Sequence, residues 1–169
     1  VSTQYGVLQS TRVGDLDPFA VLYVMAQEEW SPAEITRQLM EDSGLKGISG
    51  ISGDMRDLES AADSGNDRAR LAIQAYCYGV KKYIGAYTAA LGSVDVLAYT
   101  GGIGEKSVTT RSTICDGLGW MGIELDPDKN RQNKPETLIS TTDSRVKILI
   151  IPANEEFIVA RETARLLSK

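Results

Sequence analysis

Apolar residues recur along this chain in two ways, at helical spacing through the first half and in short continuous runs through the second half. Between Asn66 and Leu91 they alternate at steps of three and four, which predicts an amphipathic helix of about 39 Å at 1.5 Å per residue. Gly79 and Gly85 interrupt this helix. Because glycine inside a helix costs about 1 kcal/mol relative to alanine, both positions indicate close backbone packing against a neighbour. The apolar stripe consists of Ala69, Ile73, Tyr76, Val80, Tyr83, Tyr87 and Leu91.

Two further helices with strong start signals precede the long one. The pairs Asp17-Pro18 and Ser31-Pro32 each place a capping side chain directly before a proline, which is typical of a helix start. The predicted helices run from Phe19 to Glu28 and from Ala33 to Asp42, and the second one stops at Gly44.

A glycine-rich stretch, Lys46 to Asp57 (KGISGISGDMRD), follows these two helices. Glycine at every third position predicts a loop or a short strand rather than a helix interior. A short helix through Ala62 is predicted next, and composition alone favours a solvated turn for the charged residues at its start.

Short apolar runs in the second half predict strands that alternate with helices. The predicted strands are Val94 to Tyr99, Glu136 to Thr142 at a sheet edge, and Val146 to Ile151, and the predicted helices are Ser107 to Leu118 and Phe157 to Leu167. Residues 126–130 predict a turn. Repeated strand-then-helix units imply an α/β fold with a parallel or mixed sheet flanked by helices.

Composition narrows the functional classes. The 169 residues suit one domain, and 42% hydrophobic with 24% charged residues is typical of a globular protein. A net charge of −5 without a basic stripe argues against a nucleic-acid partner. Two scattered cysteines predict neither a disulfide framework nor a metal knuckle and favour a reduced, cytoplasmic compartment. The sequence also predicts no membrane span, and it contains no histidine.

Candidate chemistry lies where two predicted strands end. Gly101, Gly102 and Gly104 follow the first strand, and the stretch from Asn154 to Glu156 follows another. Ligands of open α/β sheets bind beyond the carboxyl ends of strands. Taken alone, the glycines fit a plain turn as well as a ligand loop, and the two glutamates fit an acidic first helical turn as well as Mg²⁺ binding.

Arg12 precedes a Gly14-Asp15 turn, so it is either an ordinary surface arginine or a guanidinium presented to a phosphoryl group. The chain contains neither a GxxxxGK[ST] phosphate loop nor a complete GxGxxG fingerprint. These absences argue against P-loop ATPases and dinucleotide-binding dehydrogenases.

Five blocks in fixed order resemble the C-terminal domain of acetate kinases and of the related propionate and butyrate kinases. They are TRVGDLDP from Thr11, SGDMRD from Ser52, YTGGIGEKS from Tyr99 with Arg111 downstream, WMGIELD from Trp120 and IPANEEFIVAR from Ile151. The resemblance covers essentially the whole chain. It implies a ribonuclease-H-like domain of the actin, sugar-kinase and Hsp70 type, residues 1–169 being the nucleotide-binding half that closes a cleft with an absent N-terminal domain.

The resemblance also implies roles for individual residues. Arg12 matches the arginine that stabilises the phosphoryl group in transfer, and Glu155, with Glu156 beside it, matches the glutamate that places Mg²⁺. The residues matching adenosine and ribose contacts are Asp54, Met55, Arg56, Gly101, Gly102, Ile103, Gly104, Glu105 and Lys106. Two positions depart from the family pattern: Lys106 stands where asparagine is usual, and Gly53 where serine is frequent.

The implied activity is transfer of the γ-phosphoryl group of ATP to acetate with Mg²⁺, giving acetyl phosphate and ADP, in a reaction that also runs in reverse. The acyl pocket and the catalytic aspartate of the family belong to the N-terminal domain, so this chain is expected to be inactive alone. Members of the family pair through the C-terminal domain, so the resemblance also implies a homodimer. An inactive dimerisation or nucleotide-binding module and a propionate or butyrate kinase domain are the alternatives, together with a more distant relative that phosphorylates a sugar or another acid.

Overall fold

The computed structural model describes residues 5–167, except for the side chain of Glu155. Two compact units follow one another along the chain, the first ending at Ser93 and the second beginning at Val94. No helix among the described residues is long and apolar enough to cross a membrane.

The described residues of the first unit form five helices. They are α1 (Pro18–Gln27), α2 (Pro32–Glu41), α3 (Gly44–Ser49), α4 (Met55–Asp63) and α5 (Asp67–Leu91). The predicted starts of α1 and α2 are confirmed, since the Asp17 carboxylate accepts the N–H of Phe19 at 2.9 Å. Ser31 and Glu34 form a reciprocal capping box, in which the Glu34 carboxylate accepts the Ser31 N–H at 2.7 Å.

The core of the first unit lies where α3 and α4 pack against α5. Leu45 of α3, Leu58 of α4 and Ala72 of α5 are fully buried there. Of the predicted α5 stripe, the first members are buried, whereas Tyr87 and Leu91 near its end are 59% and 73% exposed. The apolar periodicity therefore locates the helix correctly, but only its first half packs in the core.

The prediction for the glycine-rich stretch is wrong in its first part, because α3 is a helix. Gly44 and Gly50 stand at its two ends with φ of +62° and +72°, so these two glycines bound the helix, whereas Gly47 lies inside it. Of the two glycines inside α5, Gly79 makes the predicted close approach, since a Cβ there would lie 2.9 Å from a Val7 methyl carbon. Gly85 has open space around it, so that expectation is wrong.

The second unit carries the sheet. Its elements are β1 (Val96–Tyr99), α6 (Gly101–Lys106), α7 (Val108–Cys115), a 3₁₀ turn (Gly119–Met121), α8 (Pro127–Gln132), β2 (Thr137–Leu138), β3 (Lys147–Ile150) and α9 (Glu155–Leu167). The strand order is β1-β3-β2, with β1 parallel and β2 antiparallel to β3. The predicted mixed sheet and the edge position of β2 are thus confirmed.

Three details of this unit differ from the predictions. The continuous apolar run of β1, which is typical of a strand buried on both faces, lies at a sheet edge instead, and Val96 is 52% exposed there. The glycines after it form a short helix of their own, α6, instead of a loop. Residues 126–130 open α8 instead of a simple turn, since the Asp126 carboxylate accepts the N–H groups of Asp128 and Lys129.

Candidate functional site

The segment that carries Arg12 is fixed against the start of α3 by backbone hydrogen bonds. The N–H of Ser43 donates to the Thr11 carbonyl at 2.9 Å, that of Leu45 to Gln9 at 2.8 Å, and that of Lys46 to Ser10 at 3.0 Å. These N–H groups include donors at a helix start that lack intrahelical partners, and the carbonyls of residues 9–11 accept from them. The backbone of residues 9–12 is consequently held in one position, with the Arg12 side chain half-buried.

Gly44 makes this close approach possible. A Cβ at Gly44 would lie 2.7 Å from the Arg12 carbonyl oxygen, and the positive φ of Gly44 disfavours any side chain there. The predicted Gly14-Asp15 turn is also fixed, because the Asp15 carboxylate accepts the Gly6 N–H at 2.9 Å and the Tyr83 hydroxyl. The Tyr83 hydrogen bond, followed by that of Gly6, lowers the pKa of Asp15.

A second predicted block, at the start of α4, adjoins the Arg12 segment. The Ser10 hydroxyl donates to the Gly53 carbonyl at 2.5 Å, and a Cβ at Gly53 would meet Ser10 Oγ at 2.6 Å. Gly53 is one of the two departures from the family pattern. In this chain its missing side chain is what lets the two segments touch.

Asp54 and Arg56 interact with each other in this block. Asp54 caps α4 by accepting the Arg56 N–H at 2.9 Å, and its other oxygen accepts Arg56 Nη2 at 2.6 Å. The side-chain hydrogen bond and then the backbone hydrogen bond lower the pKa of Asp54 to about 2. The Arg56 side chain is 84% exposed, whereas Met55 is 4% exposed and belongs to the core. A ligand above α4 would therefore meet a paired aspartate and arginine, with Met55 beneath them.

The glycine block of the second unit lies at the carboxyl end of β1. Gly101 adopts φ of +71°, and added Cβ atoms at Gly101 and Gly102 would both enter open space. Gly104 packs closely on the Tyr99 backbone, at 3.4 Å from its carbonyl carbon to an added Cβ. Short α6 therefore rests on β1 at Gly104 and leaves an uncovered surface at Gly101 and Gly102.

The two predicted strand ends meet within this unit. Tyr99 and Ile150 are register partners in the parallel pair of β1 and β3. Beyond them, the Glu105 carboxylate accepts the Ala153 N–H at 2.7 Å. The end of the glycine block and the segment that leads into α9 thus lie close together, and Glu105 uses one carboxylate oxygen for this link.

Lys106 and Glu155 occupy the margins of this edge. Lys106 ends α6 with its side chain exposed, and Glu155 is the first residue of α9, with only its backbone described. Among described side chains, no group of three or more histidine, cysteine or acidic residues could hold a metal ion. One carboxylate at a phosphate-bearing ligand is nevertheless a usual way to hold Mg²⁺, which keeps water and phosphate oxygens as its other ligands.

Arg111 is the residue whose role the sequence analysis missed. It is fully buried in α7, and its guanidinium donates to the carbonyls of Gly104 and Glu105 at 2.8 and 2.9 Å. A signal was present, because Ile114, Cys115 and Leu118 follow Arg111 at helical spacing and place it on the apolar face of α7.

The predicted residues thus form two sets, one in each unit. In the first, Arg12, Asp54 and Arg56 lie on segments that touch through Ser10 and Gly53. In the second, the glycine block lies beside the start of α9. Guanidinium groups, backbone N–H groups and carboxylates at strand ends are the chemistry with which proteins bind phosphate esters and their metal ions.

Comparisons with known proteins show which family this chain resembles. Residues 3–161 match the acetokinase family. An acetate kinase from Dictyoglomus thermophilum is 49% identical over 164 residues, which are 97% of this chain and 41% of that protein. One from Bacteroides fragilis is 46% identical with the same coverage. The chain therefore spans about 41% of the length of these curated relatives.

Solved structures agree. An acetate kinase from Porphyromonas gingivalis superposes with a TM-score of 0.89 at 41% identity, over 96% of this chain and 41% of that one. A propionate kinase from Francisella tularensis gives 0.85 at 36% identity, over 93% of this chain and 40% of that one. The predicted fold class, a ribonuclease-H-like α/β domain with a mixed sheet flanked by helices, is confirmed by these neighbours and by the observed sheet. The chain belongs to the acetokinase family, whose acetate kinase members are phosphotransferases.

Proposed function

We propose that residues 1–169 form the C-terminal, nucleotide-binding domain of an acetate kinase. The whole enzyme would transfer the γ-phosphoryl group of ATP to acetate and run in reverse to make ATP. The chain spans about 41% of its relatives' length, and an N-terminal domain that supplies the acyl pocket would be its partner. The proposed location is the cytoplasm, which the two buried cysteines favour because they form no disulfide and need no oxidising compartment.

One observation supports this proposal most. The sequence blocks typical of the family fall on backbone segments that hydrogen bonds hold in place, so the candidate residues start from fixed positions. The Arg12 segment is held by three N–H groups at the start of α3, and the Glu105 carboxylate holds the residues before α9. Fixed positions matter here because phosphoryl transfer is catalysed mainly by positioning and electrostatic stabilisation.

Each proposed role follows from the chemistry of the side chain. Acetate is already ionised at neutral pH, so the nucleophile needs no general base. The Arg12 guanidinium would offset charge on the equatorial phosphoryl oxygens, and Glu155 would place the Mg²⁺ that neutralises the phosphates. Asp54 and Arg56 would lie along the adenine and ribose, with the buried side chain of Met55 beneath them.

Residues 101–106 would hold the adenosine part of the nucleotide. The open surface at Gly101 and Gly102 supports this role, because a ligand could approach the backbone there without displacing a side chain. A valine at Gly102 would fit the ligand-free protein, since nothing lies within 4 Å of an added Cβ. Its side chain would instead occupy the space proposed for the nucleotide.

Titration of this chain with MgATP tests the site. We expect Gly102→Val to fold normally and to weaken binding at least tenfold, whereas Gly119→Val serves as the control. Gly119 also has open space around it, in the 3₁₀ turn of the same unit. Calorimetry gives both affinities. Unchanged affinity in a folded Gly102→Val variant would show that this surface is not part of the nucleotide site.

Two observations favour particular alternatives. The similarity to a propionate kinase keeps propionate, and with it butyrate, as possible acceptors, which turnover assays of the complete enzyme with each acid would separate. The apolar residues Phe19, Leu22 and Tyr23 of α1 are 75%, 61% and 66% exposed, which favours a homodimer or a dimerisation role. Light scattering measures this directly, and a monomer at all concentrations would exclude it.

A further inference from the structure

Arg111 is a charged side chain that is completely buried and that the proposed chemistry does not use. Its Nε donates to Asn130 Oδ1 at 2.7 Å, and its Nη2 donates to Asn133 Oδ1 at 2.8 Å. Its Nη1 donates to the carbonyl oxygens of Gly104 and Glu105 at 2.8 and 2.9 Å. One side chain in α7 thereby ties together the end of α6 and the end of α8.

Burying a charged side chain costs free energy, so an arginine is expected at such a position only where its hydrogen bonds are needed. All of these acceptors are neutral carbonyl or amide oxygens, and burial lowers the pKa of Arg111. Replacing a buried charge with a well-packed apolar residue is often neutral or stabilising. Packing between α7 and α8 alone would therefore not require an arginine at this position.

The carbonyls at the end of α6 do require donors. Carbonyls in the last turn of a helix lack intrahelical partners and form the negative end of its dipole. The guanidinium satisfies two of them with one planar group, and Asn133 Nδ2 approaches the Lys106 carbonyl at 3.4 Å. The far end of α6 is thus anchored, while its start at Gly101 and Gly102 stays open.

This anchor extends to α9. The residue whose carbonyl accepts from Arg111, Glu105, also holds the Ala153 N–H through its carboxylate. Moving the Glu105 backbone would move that carboxylate as well. Ala153 lies two residues before the proposed Mg²⁺ residue, Glu155.

We propose that Arg111 is a positioning residue that fixes α6 by its terminal carbonyls and, through Glu105, fixes the segment that leads into α9. Its consequence for nucleotide affinity rests on the proposed function of residues 101–106. The positioning itself does not, and the experiment separates the two.

Three variants of this chain test the proposal. Arg111→Lys keeps the charge and loses the planar fork. Asn133→Gly removes the amide, and it keeps the left-handed backbone that Asn133 adopts at φ of +48°, which glycine tolerates. Arg131→Lys is the control, because Arg131 lies on α8 with an exposed side chain paired to Asp128.

Amide hydrogen exchange rates, measured without ligand, show whether Arg111 fixes α6 and the segment before α9. In Arg111→Lys we expect exchange at residues 104–106 and at Ala153 to become at least tenfold faster, with a smaller change in β3. Asn133→Gly should show the same pattern more weakly, and Arg131→Lys should match the parent. Equal acceleration in β3 and α6, or none in α6, would overturn the proposal. If Arg111→Lys does not fold, Asn133→Gly carries the same test.

Calorimetric titration with MgATP measures the effect of each variant on nucleotide affinity. We expect the Kd to rise about tenfold in Arg111→Lys, which corresponds to about 1.4 kcal/mol. An unchanged Kd in a variant whose α6 exchanges faster would overturn the link to nucleotide binding. A parent chain that binds no MgATP would contradict the proposed nucleotide site, whereas the exchange data would still decide whether Arg111 positions α6.

Discussion

The contact between Ser10 and Gly53 joins the segment that carries Arg12 to the segment that carries Asp54. We therefore expect substitutions at Ser10 and at Gly53 to be energetically coupled. A Cβ at Gly53 would lie 2.6 Å from Ser10 Oγ and 2.7 Å from the Ser10 carbonyl oxygen. Gly53→Ala therefore requires a local shift, and overpacking of this kind costs about 1–3 kcal/mol. Ser10→Ala loses the hydrogen bond to the Gly53 carbonyl, at a cost of about 0.5–1.5 kcal/mol.

The double variant decides whether one contact explains both costs. Removing Ser10 Oγ vacates part of the space that the new methyl group needs, so the double variant should cost less than the sum of the single variants by at least about 0.5 kcal/mol. Urea unfolding followed by circular dichroism measures each free energy of unfolding. Thermal midpoints should fall in parallel, by about 2–4 °C per kcal/mol in a chain of this size.

A second cycle provides the control. Ser64 lies just beyond the opposite end of α4, where its hydroxyl donates to the Ser60 carbonyl. Ser64→Ala should be additive with Gly53→Ala. Additivity of Ser10→Ala with Gly53→Ala, within about 0.3–0.5 kcal/mol, would refute the reasoning that the two segments share this space.

Two further predictions concern glycine packing and pH. Gly85→Ala should stabilise the chain by about 0.5–1 kcal/mol, because an added methyl group meets open space in a helix. Gly79→Ala should stabilise it less, because Val7 must move to make room for the methyl group. Equal gains in the free energy of unfolding, measured in urea, would contradict this difference. The folded pKa of Asp54, about 2, lies below the ordinary aspartate value of 3.8, so its contribution to stability is present above about pH 4 and is lost as pH falls towards 2. Arg56→Gln should raise the pKa of Asp54 in a carboxyl ¹³C NMR titration, and an unchanged midpoint would show that this pair is not its cause.

Local signals in the sequence predicted most helices. Asp17 with Pro18 and Ser31 with Pro32 start helices through contacts within three residues, which a sequence displays directly. Leu45 shows the opposite case. It is fully buried in a helix that glycine spacing argued against, because α3 depends on hydrogen bonds to residues 9–11, more than thirty positions away.

The candidate site also has parts that the sequence predicts and parts that it does not. The glycine block and the start of α9 could be placed at the ends of neighbouring strands because strand-then-helix order predicts parallel neighbours. The fit of Gly53 against Ser10 could not be predicted, since nothing local marks which residue a glycine touches. The role of Arg111 was missed because arginine is rarely buried, even though its apolar neighbours at helical spacing marked the face.

A chimera tests whether this chain is the C-terminal domain of an acetate kinase. This chain would be fused to the part of the Dictyoglomus thermophilum acetate kinase that it does not match, the 49% identity between the two supporting a compatible interface. Acetyl phosphate formation from ATP, Mg²⁺ and acetate would be measured for the chimera and for the 169-residue chain alone. Our account predicts turnover by the chimera, its loss in Arg12→Ala, and none by the chain alone. Turnover by the chain alone, or a folded chimera that forms no acetyl phosphate, would contradict it.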